Sequence, residues 1–285
     1  MKDFKDKVAV ITGAASGIGR GVAGQCAKEG MNVVLADIEE PALKQVEKEL
    51  KASGADVLAV RTDVSKFKDI EALAQKTLDT FGGIHLLFNN AGVQVESSSR
   101  KPPWEYTLAD WEWVMGVNLW GVIHGIKVFV PIMLEQNTEC HLVNTSSMAG
   151  LITEPQLVIY ATTKASVIKI SEAMYLQLQQ RKAKLGVSVL CPAFVTSDLG
   201  DAARNRPREL SNPAETRQET EQPSLLKKIQ KGNWNTLSPE QCAELVFKSI
   251  REGTFYILTD PLIDTLMKQR IDNILKRQNP ALPEF

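Results

Sequence analysis

Short runs of β-branched and other apolar residues alternate along the chain with longer stretches whose apolar positions recur at three- and four-residue spacing. That alternation predicts β-α-β units and a parallel sheet. The first strand is expected at 8–11 and its helix at 17–29, closed by Gly30 in a left-handed cap. A second strand follows at 32–36. Pro41 opens the next helix, where a missing N–H costs nothing, and Ser53-Gly54 closes it before a strand at 57–60. Ser65 is expected to cap the third helix and Phe81-Gly82-Gly83 to end it, with later strands at 84–88, 142–144, 187–190 and 255–258. None of these strands alternates cleanly, so both faces of the sheet should be buried. The expected fold is α/β, with a doubly wound, mostly parallel seven-stranded sheet in a single domain over residues 1–285.

Between about 196 and 237 the pattern breaks into Arg, Glu, Asn, Gln and Pro with little apolar periodicity. An excursion of that length from a sheet is expected to form a polar lid over substrate. Ser238-Pro239-Glu240 restarts a helix with good capping chemistry. After Asp260-Pro261, the residues Leu262, Ile263, Leu266, Met267, Ile271, Ile274 and Leu275 recur at helical spacing, which predicts an amphipathic helix at about 261–277. Its apolar face is expected on its own body or a sister subunit in preference to a membrane surface.

Composition narrows the function. A chain of 285 residues with 44% hydrophobic content can bury a full core. Its net charge of -1 lacks the basic footprint of a nucleic-acid binder, so no nucleic-acid partner is expected. Cys26, Cys140, Cys191 and Cys242 lie too far apart for a zinc site or a dense disulfide framework, which points to a reducing cytoplasm. His85, His124 and His141 lack a ligand spacing, so no metal is expected. The charged N-terminus runs straight into a strand, unlike a signal peptide, and no transmembrane segment is expected.

The turn Thr12-Gly13-Ala14-Ala15-Ser16-Gly17-Ile18-Gly19 joins the first strand to the first helix. Its glycines let the backbone turn tightly and approach a pyrophosphate, and the helix start offers N–H donors and a positive dipole end. Gly13, Ser16, Gly17, Ile18 and Gly19 are therefore candidate cofactor contacts. Asp37, at the end of the second strand, stands where an acid bonds ribose hydroxyls. Together these features specify a Rossmann-type nucleotide fold.

Tyr160 and Lys164 are four apart, so on a helix they share a face. An ammonium there is expected to lower the phenol from about 10 toward working pH and let it exchange a proton with substrate. Alone, such a pair more often means a solvated helix face, but behind a nucleotide turn the catalytic reading prevails. Asn118 falls in a predicted helix where asparagine has poor propensity, so something other than local preference holds it there. A helix-facing amide bonded to a neighbouring strand is one explanation.

The spacing T-G-x-x-x-G-x-G resembles that of the short-chain dehydrogenase/reductase family. The resemblance continues through Asp63-Val64, Asn89-Asn90-Ala91-Gly92, Asn118, Ser147, Tyr160-Ala161-Thr162-Thr163-Lys164 and Pro192 to Thr196. It spans roughly the first two-thirds of the chain, and its joint occurrence is far more specific than any single motif. It implies a Ser-Tyr-Lys-Asn proton relay. Ser147, chosen over Ser146 on the family spacing, would bond the substrate oxygen. Tyr160 would exchange the proton, Lys164 would also hold the nicotinamide ribose, and the distorted backbone at Asn118 would bind a relay water. For the cofactor, Asp63 would bond the adenine amine and Val64 would add a main-chain contact. Asn90, Ala91 and Gly92 would leave room for the ribose and adenine side, and Thr196, after Pro192, would orient the carboxamide. Two residues depart from the family pattern: Ala193 replaces the glycine after Pro192, and His85 stands where an acid is usual.

Asp37 would accept bonds from both ribose hydroxyls and repel a 2′-phosphate, which favours NAD over NADP. No base lies within the turn, although Arg20 follows it. Val93, Gln94, Trp104, Met148, Leu151 and Phe194 are the candidate substrate-pocket residues. Their mostly apolar character suits a hydrophobic ketone or alcohol. Trp111 and Trp113 are expected to stiffen their helix against the sheet. The expected protein is an NAD-dependent alcohol dehydrogenase or ketoreductase, assembled as a homodimer or homotetramer. The alternatives are an NADP-preferring carbonyl reductase, an NAD-binding redox sensor without turnover, and an epimerase or dehydratase with tightly held NAD. An intact Ser147, Tyr160 and Lys164 weighs against the sensor, and the chain length against the last.

Overall fold

The computed structural model describes residues 1–96, 101–212 and 236–281. Seven strands, β1 (Val8–Thr12), β2 (Asn32–Asp37), β3 (Val57–Arg61), β4 (Leu86–Asn89), β5 (Cys140–Thr145), β6 (Leu185–Cys191) and β7 (Tyr256–Leu258), form one sheet. Their order is β3-β2-β1-β4-β5-β6-β7, and every neighbouring pair is parallel, so the sheet is all-parallel where the sequence predicted mostly parallel. The order reverses between β1 and β4, which places the crevice of a doubly wound fold at their carboxyl ends.

Alternate residues of β1 feed opposite layers. Ala9 and Ile11 face α1 (Gly17–Lys28), α2 (Glu40–Ala52) and α7 (Pro239–Glu252), whose Val22, Leu43 and Phe247 share their core. Val8 and Val10 face α3 (Phe67–Phe81), α5 (Gly121–Glu135) and α6 (Val158–Gln180), through Leu73, Phe129 and Leu178. Burial on both faces explains the absence of polar alternation.

Local chemistry sets the element ends. Ser238 closes a reciprocal capping box with Gln241 at the start of α7, and Gly82 ends α3 in the left-handed region at φ 72°. Ser65 does not cap α3 as expected: its hydroxyl donates to Asp63 Oδ1 at 2.7 Å, and Lys66 occupies the cap position. The carboxylate two residues back offers a stronger acceptor for that hydroxyl than the helix offers a use for its oxygen.

Two histidines, half-buried His85 and buried His141, tie the sheet together. His85 Nδ1 accepts the Val8 N–H at 3.1 Å, so the imidazole supplies an acceptor where the resembled family has an acid. His141 Nε2 lies 2.9 Å from Ser188 Oγ, which itself donates to the Thr254 carbonyl at 2.7 Å. With the serine proton committed, Nε2 must be the donor. Among the described residues Nδ1 has no hydrogen-bond partner, and it faces Gly186, where a Cβ would come within 2.6 Å of it.

The helical run 108–135 comprises α4 (Leu108–Met115), a π-helical turn (Gly116–Trp120) and α5. Among the described residues it is the one stretch whose length and composition would suit a membrane span, which corrects the expectation that none exists. It is a core helix of the fold, set against α3, α6 and β4.

The described part of the excursion begins after β6 and forms short 3₁₀ turns at Asp198–Asn205 and Arg208–Leu210. Ala202, Ala203 and Leu210 settle on Val93, Val95, Trp113 and Val114. The expected lid's residues 213–235 lie outside the described residues. The final helix, α8 (Leu262–Leu275), buries Ile263 and Leu266 against Met148, Ile152 and Phe194, on its own body. Its outer residues Ile271, Ile274 and Leu275 are exposed.

Candidate active site

The carboxyl ends of β1, β4, β5 and β6 open into a cavity of about 680 Å³. Its floor is the glycine turn. Gly13 and Gly17 hold positive φ of 66° and 49°, a backbone region that side-chain-bearing residues rarely adopt. A Cβ on Gly13 would stand 2.9 Å from Ala91 Cα, so the turn and the end of β4 approach as bare backbone. Thr12 fastens that approach: its Oγ1 accepts the N–H groups of Asn90 at 2.9 Å and Ala91 at 3.1 Å, and Asn90 Nδ2 donates to the Thr12 carbonyl at 3.1 Å. Gly19 is buried against the Gly13 carbonyl and does not line the cavity, so its part is to close the turn.

Asp37 is held at the cavity edge by two main-chain donors, Ala15 N–H to Oδ2 and Glu39 N–H to Oδ1, each at 3.0 Å. Burial raises its carboxyl above the usual range, and those N–H bonds oppose the shift. On the neighbouring strand end, Asp63 accepts from the Ser65 N–H at 3.0 Å, and the Val64 carbonyl is engaged by His124 Nδ1 at 2.9 Å. Gly13, Ser16, Gly17, Ile18, Asp37, Asp63, Val64, Asn90, Ala91, Gly92 and Pro192 all line the cavity. Bare-backbone donors at a helix start and a carboxylate at the end of β2 fit the pyrophosphate and ribose of a dinucleotide.

The reacting end is built by β5 and α6. Ser147 starts a 3₁₀ turn after β5, its Oγ accepting the Ala149 N–H at 3.2 Å and contacting the Tyr160 hydroxyl. Ser146 also lines the cavity, but its Oγ is committed to the Lys164 carbonyl, to which it donates at 2.8 Å. Lys164 Nζ donates to the Thr145 carbonyl at 2.9 Å and stands 5.5 Å from the Tyr160 ring centre. A Cβ on Gly92 would come 3.4 Å from that ammonium, so the absence of a side chain there keeps the approach open.

The electrostatics differ from expectation. Burial of its hydroxyl end pushes Tyr160 up to about 12, with the Ser147 hydrogen bond pulling the other way. Burial also lowers Lys164 to about 8. Desolvation, which favours the neutral form of each group, is the largest cause of both shifts.

Asn118 sits in the π-helical turn and is fully buried, outside the cavity lining. Its side chain bonds Val93 and, at 3.2 Å, Thr163 Oγ1 on α6. Of the expected pocket residues only Val93 lines the cavity. Gln94 lies outside it, and Trp104 is turned to solvent at 81% exposure. Met148, Leu151 and Phe194 are taken up by α8. Thr196 bonds the Leu237 carbonyl through its N–H at 3.1 Å, while its neighbours Val195 and Ser197 line the cavity.

Sequence reasoning missed part of the lining. Trp113 was expected against the sheet; it is buried facing the cavity, with the Arg206 guanidinium 5.1 Å from its ring. Glu39, Arg204 and Asn205 line the mouth. Nothing local in the sequence marks them, because their pairing joins residues 165 positions apart.

A family profile described as short chain dehydrogenase matches residues 7–208. The CLA biosynthesis dehydrogenase/reductase of Lactiplantibacillus plantarum is 36% identical over 278 residues, covering 96% of this chain and 95% of that protein. The C alpha-dehydrogenase of Sphingobium sp. strain SYK-6 is 32% identical over 281 residues, covering 98% and 89%. Among solved structures, a short chain dehydrogenase/reductase from Burkholderia phymatum in complex with NAD is 44% identical, covers 100% of both chains and superposes with a TM-score of 0.91.

Proposed function

The chain belongs to the short-chain dehydrogenase/reductase family, an NAD(P)-binding oxidoreductase of alcohols and ketones, and on that premise we propose that it is an NAD-dependent enzyme interconverting a hydrophobic secondary alcohol and its ketone. The observation that carries this reading is the Tyr160 hydroxyl, set beside Ser147 and backed by Lys164, at the end of a cleft floored by the glycine turn.

When bound, the nicotinamide supplies or accepts the hydride. In the direction of ketone reduction, Ser147 and Tyr160 hold the carbonyl oxygen and Tyr160 donates its proton to it. A phenol near 12 is fully protonated at neutral pH, so the acid form is ready. Lys164, mostly ammonium below about 8, restores the phenol proton and anchors the ribose. Asn118 and the π-helical turn hold the relay's far end. In alcohol oxidation Tyr160 gives its own proton toward the neutral amine of Lys164 as it takes the one from the substrate hydroxyl, so the phenol is protonated before and after the step.

Asp37 supports NAD over NADP, since its carboxylate faces the cavity and would repel a 2′-phosphate. Val93, Trp113, Leu199, Ala202 and Leu210 support an apolar substrate. The stretch 196–212 serves as the substrate wall, latched where Arg206 Nη1 meets Asp110 Oδ1 at 2.7 Å. Exposed Trp120 and Leu176 support a homodimer or homotetramer, and four free buried cysteines support a cytoplasmic setting. A panel of aryl, terpenoid and acyclic ketones, followed by nicotinamide absorbance with NADH and NADPH in parallel, tests the reading. Turnover of charged sugar phosphates in preference to these ketones would contradict it.

A further inference from the structure

The segment after β6 crosses the mouth of the cleft and fastens on the far side. Ser197 runs so close to the glycine turn that a Cβ on Gly17 would come within 2.7 Å of the Ser197 Cβ. Further along, Arg204 Nη2 and Asn205 Nδ2 both donate to Glu39 Oε1, each at 2.6 Å. Arg204 Nη1 is spent on the carbonyls of Asp198 at 3.1 Å and Asp201 at 2.7 Å. Glu39 lies two residues past Asp37 and donates its N–H to that carboxylate at 3.0 Å. Asp37, Glu39, Arg204 and Asn205 all line the one cavity.

A guanidinium thus stands at the ribose end of the cleft, where a planar fork of donors suits a phosphate. Among the lysines and arginines that line the cavity in the described residues, the others are Lys66, which follows β3, and Lys164, at the reacting end. We propose that Glu39 is a cofactor-discriminating residue: by engaging Arg204 it withholds that guanidinium from a 2′-phosphate. Asp37 repels the phosphate, and Glu39 removes the group that could compensate. The inference rests on the NAD preference proposed above and extends it to a residue outside the glycine turn and the β2 terminus.

The test is direct binding, without turnover. Dissociation constants for NADH and NADPH are measured by cofactor fluorescence on the wild type, Glu39→Gln, and the double variant Glu39→Gln with Arg204→Ala. Because the readout is the ratio of the two constants within each protein, a loss of folded fraction cancels. Glu39→Gln should shift the ratio toward NADPH by about tenfold, the scale of one charge-assisted hydrogen bond, and Arg204→Ala should abolish that gain. An unchanged ratio in Glu39→Gln, or a gain that survives loss of Arg204, overturns the inference while leaving the NAD preference intact. A wild type that binds NADPH more tightly overturns the NAD preference itself, and the inference with it.

Discussion

Asn118 grips Val93 by both ends of its amide: Oδ1 accepts the Val93 N–H at 2.8 Å and Nδ2 donates to the Val93 carbonyl at 2.9 Å. Val93 lines the cavity and Asn118 also reaches Thr163, one residue before Lys164, so a single amide couples the post-β4 loop to the helix of Tyr160. This contact accounts for an asparagine inside a helix despite its poor propensity.

Asn118→Ala should therefore cost both stability and rate. It leaves the buried Val93 N–H and carbonyl without partners, a loss of about 2–6 kcal/mol at about 1–3 kcal/mol per orphaned group. Urea unfolding should show a lowered midpoint, and kcat should fall. A midpoint and kcat equal to wild type would mean that the Val93 loop is held by other contacts.

The pH dependence of turnover should follow Lys164. Ketone reduction needs the ammonium that resupplies Tyr160, so its rate should decline as pH rises through about 8, while alcohol oxidation should climb over the same range. Lys164→Arg keeps the charge far above that pH, so the inflection should vanish from whatever activity remains. An inflection that persists near 8 in that variant would assign it to another group.

Stability should fall on acidification. Burial depresses His141 to about 3 and also lowers His85, whereas an unfolded histidine titrates near 6.5. The unfolded chain then binds more protons, so this contribution is fully present above about 6.5 and is lost as pH drops toward about 3. The slope for His141 is about 1.4 kcal/mol per pH unit, giving roughly 2 kcal/mol by pH 5. Urea titrations at several pH values check this. His141→Leu leaves Ser188 bonded to Thr254 and should flatten the slope; an equal slope in that variant would count against the assignment.

Arg206 holds the substrate wall. Its guanidinium pairs with Asp110, which is 2% exposed, and covers Trp113. Arg206→Ala should raise substrate KM several-fold and leave the NADH dissociation constant unchanged, because the latch lies on the substrate side. Equal losses in both constants would show a general collapse of the cleft.

The strands, the glycine turn and the Tyr160–Lys164 face were legible because each rests on short-range pattern: apolar runs, glycine spacing, and four residues of helix. Long-range relations were not. Met148, Leu151 and Phe194 are apolar enough for a pocket, yet α8 claims them, and no local signal separates pocket wall from satellite core. Trp104 carries the opposite lesson, an aromatic left in solvent. Ser146 and Ser147 are adjacent and chemically alike, and only their folded contacts tell them apart, Ser146 with the Lys164 carbonyl and Ser147 with the Tyr160 hydroxyl. The Tyr160 shift also depended on depth: Lys164 was visible as a neighbour, but the burial that raises the phenol was not. Glu39 and Arg204 meet only once the segment after β6 folds back over the cleft.

The proton step at Tyr160 is tested most directly by Tyr160→Phe, which removes the hydroxyl and keeps the ring. With a ketone that the wild type reduces, kcat should drop by about 10²–10⁴ while the NADH dissociation constant stays within about twofold. Turnover at wild-type rate in that variant, with NADH still bound, would contradict the assignment of Tyr160 as the proton donor.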